Sequence, residues 1–284
     1  MSSPRTILIT GATDGLGRGL ALRLAAPDTL LILHGRSEQR AAEVARQVRA
    51  KGGAAEIRLA DLAELRQVDR LADTVLRDFD RLDVLVNNAG IGGGAPGAER
   101  QLSSDGYELL FAVNYLAGYH LTNRLLDRLR AAPATRIPSG ESRAGIVNVS
   151  SAGQAPIDFA DPQLTRDFNG GTAYCRAKLA QILFTFDLAE RLAAEGSAVS
   201  VNALHPASYM ATTMVREAGV EPWSTVDEGV DATMRLVTGE AGAVGGRYFN
   251  GTQPTRAHAQ AYDPGARQQL RALSAELVAK ALAF

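Results

Sequence analysis

The chain of 284 residues contains one cysteine, Cys175. No intramolecular disulfide can form, and no site that needs several thiolates can be assembled. An excess of either charge is also missing, because 30 Lys and Arg stand against 31 Asp and Glu. Binding to a phosphate backbone or an anionic membrane draws on surplus positive charge, so nucleic acid is a poor partner. No run of residues approaches the roughly 20 apolar positions of a spanning helix. Residues 1–10 hold one Arg and a short apolar run that ends at a glycine turn, unlike a signal peptide. A cytoplasmic protein without a membrane span is expected, in a reducing compartment that suits a lone thiol.

What the chain does have is core-forming material. Hydrophobic residues make up 46% and charged residues 21%, the balance of a globular protein with a large interior. Short β-branched runs at 6–10, 30–34, 55–59, 84–87, 145–149, 199–204 and 247–249 read as strands. Between them, helical periodicity runs near 16–25, 37–50, 64–79, 103–131, 172–194 and 226–238, with a final amphipathic segment at 264–283. That alternation predicts an α/β fold: a Rossmann-type doubly wound, mainly parallel seven-stranded sheet with helices on both faces. One domain over 1–284 is expected, with a C-terminal helical extension at 256–284. Two segments break the rhythm, 152–171 and 207–224, and both follow strands at the edge where such sheets bind ligands.

Residues 10–17 read Thr-Gly-Ala-Thr-Asp-Gly-Leu-Gly between the first strand and a helix. Gly11 permits a tight turn, Gly15 lets backbone approach a pyrophosphate, and Gly17 allows close helix–strand packing. The helix N-terminus adds free N–H donors, so the turn predicts a dinucleotide site. At the end of the second strand stands His34-Gly35-Arg36, where an acidic residue would favour the ribose diol of NAD. Arg36 instead suits the 2′-phosphate of NADP. Asp61-Leu62 closes the third strand near the adenine position, and Asn87-Asn88-Ala89-Gly90 closes the fourth with small residues and side-chain amides.

Ser150-Ser151 ends the fifth strand, and Tyr174 and Lys178 lie four apart on the following helix, hence on one face. A phenol near pKa 10 is a weak base at neutral pH, and a neighbouring ammonium lowers that value. Lys178 is thereby expected to make Tyr174 a working acid or base, while Ser151 holds a substrate oxygen against it. Taken singly, such residues are ordinary packing and surface chemistry. Their order after a phosphate turn is what carries the prediction.

On these residues the sequence resembles the short-chain dehydrogenase/reductase family over about residues 5–250. The motifs are the glycine turn, Asn-Asn-Ala-Gly at 87–90, the strand-end serines and Tyr-x-x-x-Lys at 174–178. The run 173–180 and the gap of 23 from Ser151 to Tyr174 look most like the retinol-dehydrogenase-like branch. The resemblance implies that Ser151 positions substrate, Tyr174 is the acid or base, and Lys178 also binds the nicotinamide ribose. Asn114, in the run 111–114, would hold a water that relays protons from Lys178. Ser150 stays open as a substitute for Ser151. Cofactor contacts are expected at Gly11, Thr13, Asp14, Gly15, Leu16, Gly17, Arg36, Asp61, Leu62, Asn88, Ala89, Gly90, Tyr174, Lys178 and Pro206. The family's usual strand-end Pro-Gly is replaced here by Pro206-Ala207.

The 207–224 segment should cover the nicotinamide, with Ser151, Tyr174, Tyr209, Met210 and Met214 against an apolar or cyclic carbonyl. The expected activity is NADPH-dependent reduction of a ketone or aldehyde, or the reverse alcohol oxidation, on a moderately apolar small molecule and without a metal. Two alternatives stand beside it: an NAD-dependent alcohol dehydrogenase, and a non-catalytic NADP-binding regulatory protein. The resemblance also implies a homodimer or homotetramer paired through the helices at 103–131 and 172–194.

Overall fold

A computed structural model describes residues 4–283 apart from 96, 133, 134, 138, 139, 143 and 239. In chain order the elements are β1 (Arg5–Ile9), α1 (Gly15–Leu24), β2 (Thr29–Gly35), α2 (Glu38–Ala50), β3 (Ala54–Leu59), α3 (Leu65–Asp78) and β4 (Val84–Asn87). A helical turn α4 (Leu109–Phe111) then runs through a π-helical turn, Ala112–Leu116, into α5 (Ala117–Arg130). The short strands β5 (Thr135–Ile137) and β6 (Gly140–Ser142) pair only with each other. After them come β7 (Gly145–Val149), α6 (Gly170–Ala194), β8 (Ser200–His205), α7 (Thr213–Glu217), α8 (Val226–Thr238), β9 (Arg247–Asn250), β10 (Gln253–Pro254) and α9 (Pro264–Leu282).

The main sheet has the order β10-β9-β8-β7-β4-β1-β2-β3 and is parallel except for β10. The chain moves outward from β1 through β2 to β3, then returns to β4 and moves the other way. A crevice therefore opens beyond the carboxyl ends of β1 and β4, where the direction of winding reverses and ligands bind in such sheets. All seven expected strands form. The eighth, β10, is two residues long and ends in a proline, a pattern with no periodicity to read and one that fits only at a sheet edge.

Both faces of the sheet are covered, which is why its central strands are buried at every residue rather than at alternate ones. One core gathers side chains of α1, α2 and α8, including Leu16, Leu20, Val44, Val48 and Val230. The other joins α3, α5 and α6, including Val68, Leu71, Leu121, Leu125, Leu179 and Leu183. The middle of α6 is buried all round from Ala177 to Leu188, because the sheet lies on one side and α9 on the other. The Tyr115 hydroxyl bonds Ser274 Oγ at 2.7 Å, and Tyr107 donates to the Leu277 carbonyl, which pins α9 in place. Among the described residues no helix is long and apolar enough to cross a membrane.

One expected helix starts late. Residues 103–108 are not helical; Leu102 bridges to Glu108 instead, and the Glu108 carboxylate accepts from the N–H groups of Leu110 and Phe111. That side-chain cap sets the helix start at Leu109, where periodicity alone placed it at 103.

Candidate active site

The glycine turn between β1 and α1 is built as its spacing requires. Gly11 and Gly15 have φ of +65° and +46°, the region that L side chains avoid. A Cβ on Gly17 would lie 2.2 Å from the Gly11 carbonyl oxygen, so α1 could not sit this close with any other residue. The N–H groups of Leu16 and Gly17 have no protein acceptor among the described residues, leaving donors of the kind a pyrophosphate takes. Asp14 also has partners within the protein. Its carboxylate caps α1 by accepting from Gly15 N at 2.7 Å, and it accepts from the Thr213 hydroxyl at 2.6 Å. Asp14 thus ties the turn to α7 in the 207–224 segment.

The turn is held from both sides. Asn88 donates from Nδ2 to the carbonyls of Thr10 (2.8 Å) and Gly11 (3.2 Å), while Thr10 Oγ1 accepts from the N–H groups of Asn88 and Ala89. On the other side His34 Nδ1 accepts from Gly11 N at 3.2 Å, and its Nε2–H donates to the Ala60 carbonyl at 3.1 Å. Burial pushes the His34 imidazole down to about 4, so the ring is neutral and its tautomer is set by these two bonds. Thr13 packs on Gly35, where a Cβ would come within 2.5 Å of the threonine methyl. Arg36 is exposed at the end of β2 and has no carboxylate partner among the described residues; Arg40, one turn along, lies 3.8 Å from Asp14. Asp61 accepts from Ala63 N at 3.0 Å, and Leu62 is buried.

Behind the turn, β7 and α6 bring the catalytic candidates together. Lys178 is 3% exposed, with Nζ donating to the Val149 carbonyl at 2.9 Å and to Gln181 Oε1 at 3.1 Å. Burial pushes its pKa down to about 7. Among 30 basic side chains only Lys51, Lys178 and Lys280 are lysines, and Lys178 alone of these is buried. An ammonium can give up its proton at such a site whereas a guanidinium cannot, which explains why the chain departs from arginine here.

The Lys178 ammonium lies 5.7 Å from the centre of the Tyr174 ring, and the Ser151 hydroxyl stands beside the Tyr174 phenol. The expected depression of the phenol is absent: burial raises Tyr174 above its ordinary value, and Ser151 only partly offsets that. Ser150 is turned away, donating to the Lys178 carbonyl at 2.7 Å. The two serines therefore divide, one facing Tyr174 and the other tying β7 to α6.

Asn114 sits in the π-helical turn, an insertion that rotates one side chain out of helical register. Its amide exchanges two bonds with Ile91, accepting from N at 2.7 Å and donating to O at 3.0 Å. Gly90 lies between Asn114 and Lys178, since a Cβ there would be 3.1 Å from Asn114 Oδ1 and 3.5 Å from Lys178 Nζ. Asn114, Gly90 and Lys178 form one continuous wall.

The 207–224 segment roofs this wall unevenly. The Met214 side chain reaches the backbone beside Gly92, across the mouth of the crevice. Tyr209, at φ +45°, is exposed and meets the Trp223 ring edge-on at 4.6 Å between centroids. Met210 instead packs inward with the core of α1 and α8, because Gly229 leaves room for its sulfur. It faces away from the mouth. Pro206 lies beside Gly229 at the start of the segment.

Four site residues escape a reading of the sequence. His34 and Thr10 hold the glycine turn, Gln181 holds Lys178, and Tyr248 donates to the Ser151 carbonyl at 2.9 Å. Gln154 Nε2 donates to the same carbonyl at 3.1 Å. Only His34 carried a signal, a polar residue closing an apolar strand; the others act through partners distant in sequence or through an amide that looks like helix surface.

Known proteins resemble this chain in sequence and fold. A family model for short chain dehydrogenase matches residues 5–222. Human "Retinol dehydrogenase 13" is 33% identical over 96% of this chain and 84% of its own length. A solved structure of a Mycobacterium paratuberculosis protein superposes with TM-score 0.78 at 30% identity, covering 98% of this chain and 94% of that one. A metagenomic short-chain oxidoreductase solved in complex with NADP superposes with TM-score 0.63 at 27% identity, over 85% of this chain and 94% of that one.

Proposed function

The chain belongs to the short-chain dehydrogenase family, NAD(P)-dependent oxidoreductases of alcohols and carbonyls, and from that premise we propose that it is an NADPH-preferring reductase of a ketone or aldehyde on a moderately apolar small molecule. The observation that carries the reading is the convergence of Ser151, Tyr174 and Lys178 beside a glycine turn whose N–H groups are available. One catalytic domain in a reducing compartment such as the cytoplasm completes it.

The residues fit a dinucleotide. Gly11, Gly15 and Gly17 keep side chains out of the turn, Leu16 and Gly17 offer N–H donors, and Gly90 leaves the wall beside Lys178 bare. When bound, the nicotinamide supplies or takes up the hydride. Ser151 donates to the substrate oxygen and orients it. Tyr174 gives its phenolic proton to that oxygen during reduction and recovers one through Lys178, whose titration near neutrality suits it to that exchange. Exposed Arg36 supports NADP over NAD, because among the described residues no carboxylate pairs with it. Met214 over the crevice and the name of the retinol dehydrogenase relative support an apolar substrate.

A homodimer or homotetramer is the assembly the resemblance implies, although α9 already lies on α6.

The test is NADPH oxidation followed by absorbance over retinaldehyde and a panel of linear and cyclic ketones, with NADH in parallel. Turnover with NADPH at least tenfold more efficient than with NADH is expected. Arg36→Asp should close that gap by raising the KM for NADPH roughly 10- to 30-fold while leaving NADH little changed. Tight NADPH binding without turnover on any carbonyl would instead make the chain a cofactor-binding regulator.

A further inference from the structure

Two polar side chains, Asn87 and the Gln181 that holds Lys178, are short of partners, and both line one small space. The Asn87 amide donates to Thr122 Oγ1 and to Asn148 Oδ1, both at 2.9 Å, but its Oδ1 is buried with no partner. Gln181 accepts from Lys178 through Oε1, while its Nε2 has no partner among the described residues. Both side chains line a cavity of about 10 Å³, with Thr10 and Asn114 also in its wall, close to the space one water needs. The free amide donor of Gln181 and the buried amide oxygen of Asn87 across such a gap are satisfied together by one bridging water, which accepts from the first and donates to the second.

Lys178 itself has three N–H donors, and two are committed, to the Val149 carbonyl and to Gln181. Only the third can be given to a group in the crevice. Its direction follows from the other two. Val149 is backbone in a central strand and cannot move, so Gln181 is the adjustable half of the anchor.

We propose that Gln181 is a positioning residue that aims the Lys178 ammonium into the crevice, its own amide held in turn by a single buried water bridging to Asn87. The proposal rests on the catalytic reading of Tyr174 and Lys178. Around the ammonium, the titratable groups among the described residues are Tyr174 on its own helix and His205 on β8, which the lysine charge pushes further down. No carboxylate is in contact with it, so a neutral amide oxygen is the side-chain acceptor that favours the charged form.

The scarcity of lysine makes the test direct. With Lys labelled at 13Cε, NMR should resolve three titrating signals, of which Lys51 and Lys280 are exposed references. Gln181→Met keeps the volume and removes the acceptor, and should move the Lys178 midpoint down by at least about half a pH unit. Gln181→Glu places an anion at the same point and should move it up by about one. The alkaline limb of the pH–rate profile for the fastest carbonyl of the panel should move the same way in each variant. In Gln181→Met, kcat should fall roughly 3- to 10-fold with the KM for the carbonyl within about twofold, as expected when orientation rather than binding is lost. Thermal melting of both variants reports folding independently. A Lys178 midpoint unmoved in both folded variants would overturn the role of Gln181, and at high resolution an empty gap between Gln181 and Asn87 would overturn the water. If Tyr174→Phe kept wild-type turnover, the catalytic reading would fall instead, whatever the Lys178 signal does.

Discussion

The two walls of the crevice are built on different principles. The glycine-turn wall, from Thr10 to Gly17 with His34 and Asn88, is a lattice of bonds to backbone groups in which the buried imidazole, His34, is held neutral. The catalytic wall, from Ser151 to Gln181, places a tyrosine and a lysine where burial moves both away from their ordinary pKa values, the phenol up and the ammonium down. A binding cradle needs fixed geometry and gains from groups that do not titrate. A proton-transfer site needs a group whose two forms are close in free energy, and burial makes Lys178, not Tyr174, that group.

The largest effect that could break this contrast belongs to the catalytic wall. Tyr174→Phe keeps the ring and removes the proton, and turnover should drop by roughly 10³-fold with NADPH affinity, read by fluorescence, nearly unchanged. A comparable loss of NADPH binding would mean that Tyr174 belongs to the cradle. On the other wall Gly17→Ala puts a methyl group 2.2 Å from the Gly11 carbonyl oxygen, forcing the turn apart. NADPH affinity should fall at least ~100-fold, since a loss of about 3 kcal/mol is equivalent to two decades.

The pH dependence sharpens the contrast further. His34 is neutral when folded and titrates at about 4, below its unfolded value near 6.5. Its contribution to stability is complete above about pH 6.5 and is lost as pH falls toward 4, about 3 kcal/mol over the interval. Burial lowers His120 and His205 as well, so their contributions have the same sign. Denaturant unfolding at pH 7 and pH 5 should show the decline, and His34→Gln, which keeps an acceptor and a donor, should flatten it. An identical decline in that variant would remove His34 from the account.

The smallest effect concerns the link between turn and roof. Thr213→Val removes the bond to Asp14, an exposed contact worth about 0.5–1 kcal/mol. The carbonyl KM should rise roughly threefold with kcat within about twofold, measured by steady-state kinetics.

Much of the site could be read in advance because its signals are local. Gly11, Gly15 and Gly17 are spaced along one turn, and Tyr174 and Lys178 share a face because four residues of helix return to it. The doubly wound sheet follows from the alternation of short apolar runs with helical periodicity. Other features depend on contacts that no local pattern carries. The choice between Ser150 and Ser151 turns on which hydroxyl is taken by the Lys178 carbonyl and which faces Tyr174, and the inward turn of Met210 depends on the space beside Gly229. The late start of α4 depends on the Glu108 cap, and the tiny edge strand β10 has no periodicity of its own.

The sequence by itself determined the family architecture, the phosphate turn and the identity of the Tyr–Lys pair, since each is written in spacing along one element. Only the tertiary structure decided the state of that pair. Burial of Lys178, its bond to the Val149 carbonyl and, among the described residues, the absence of a carboxylate beside it come from elements far apart in the chain. The free energy of a charge depends on everything around it, and packing alone brings those surroundings together.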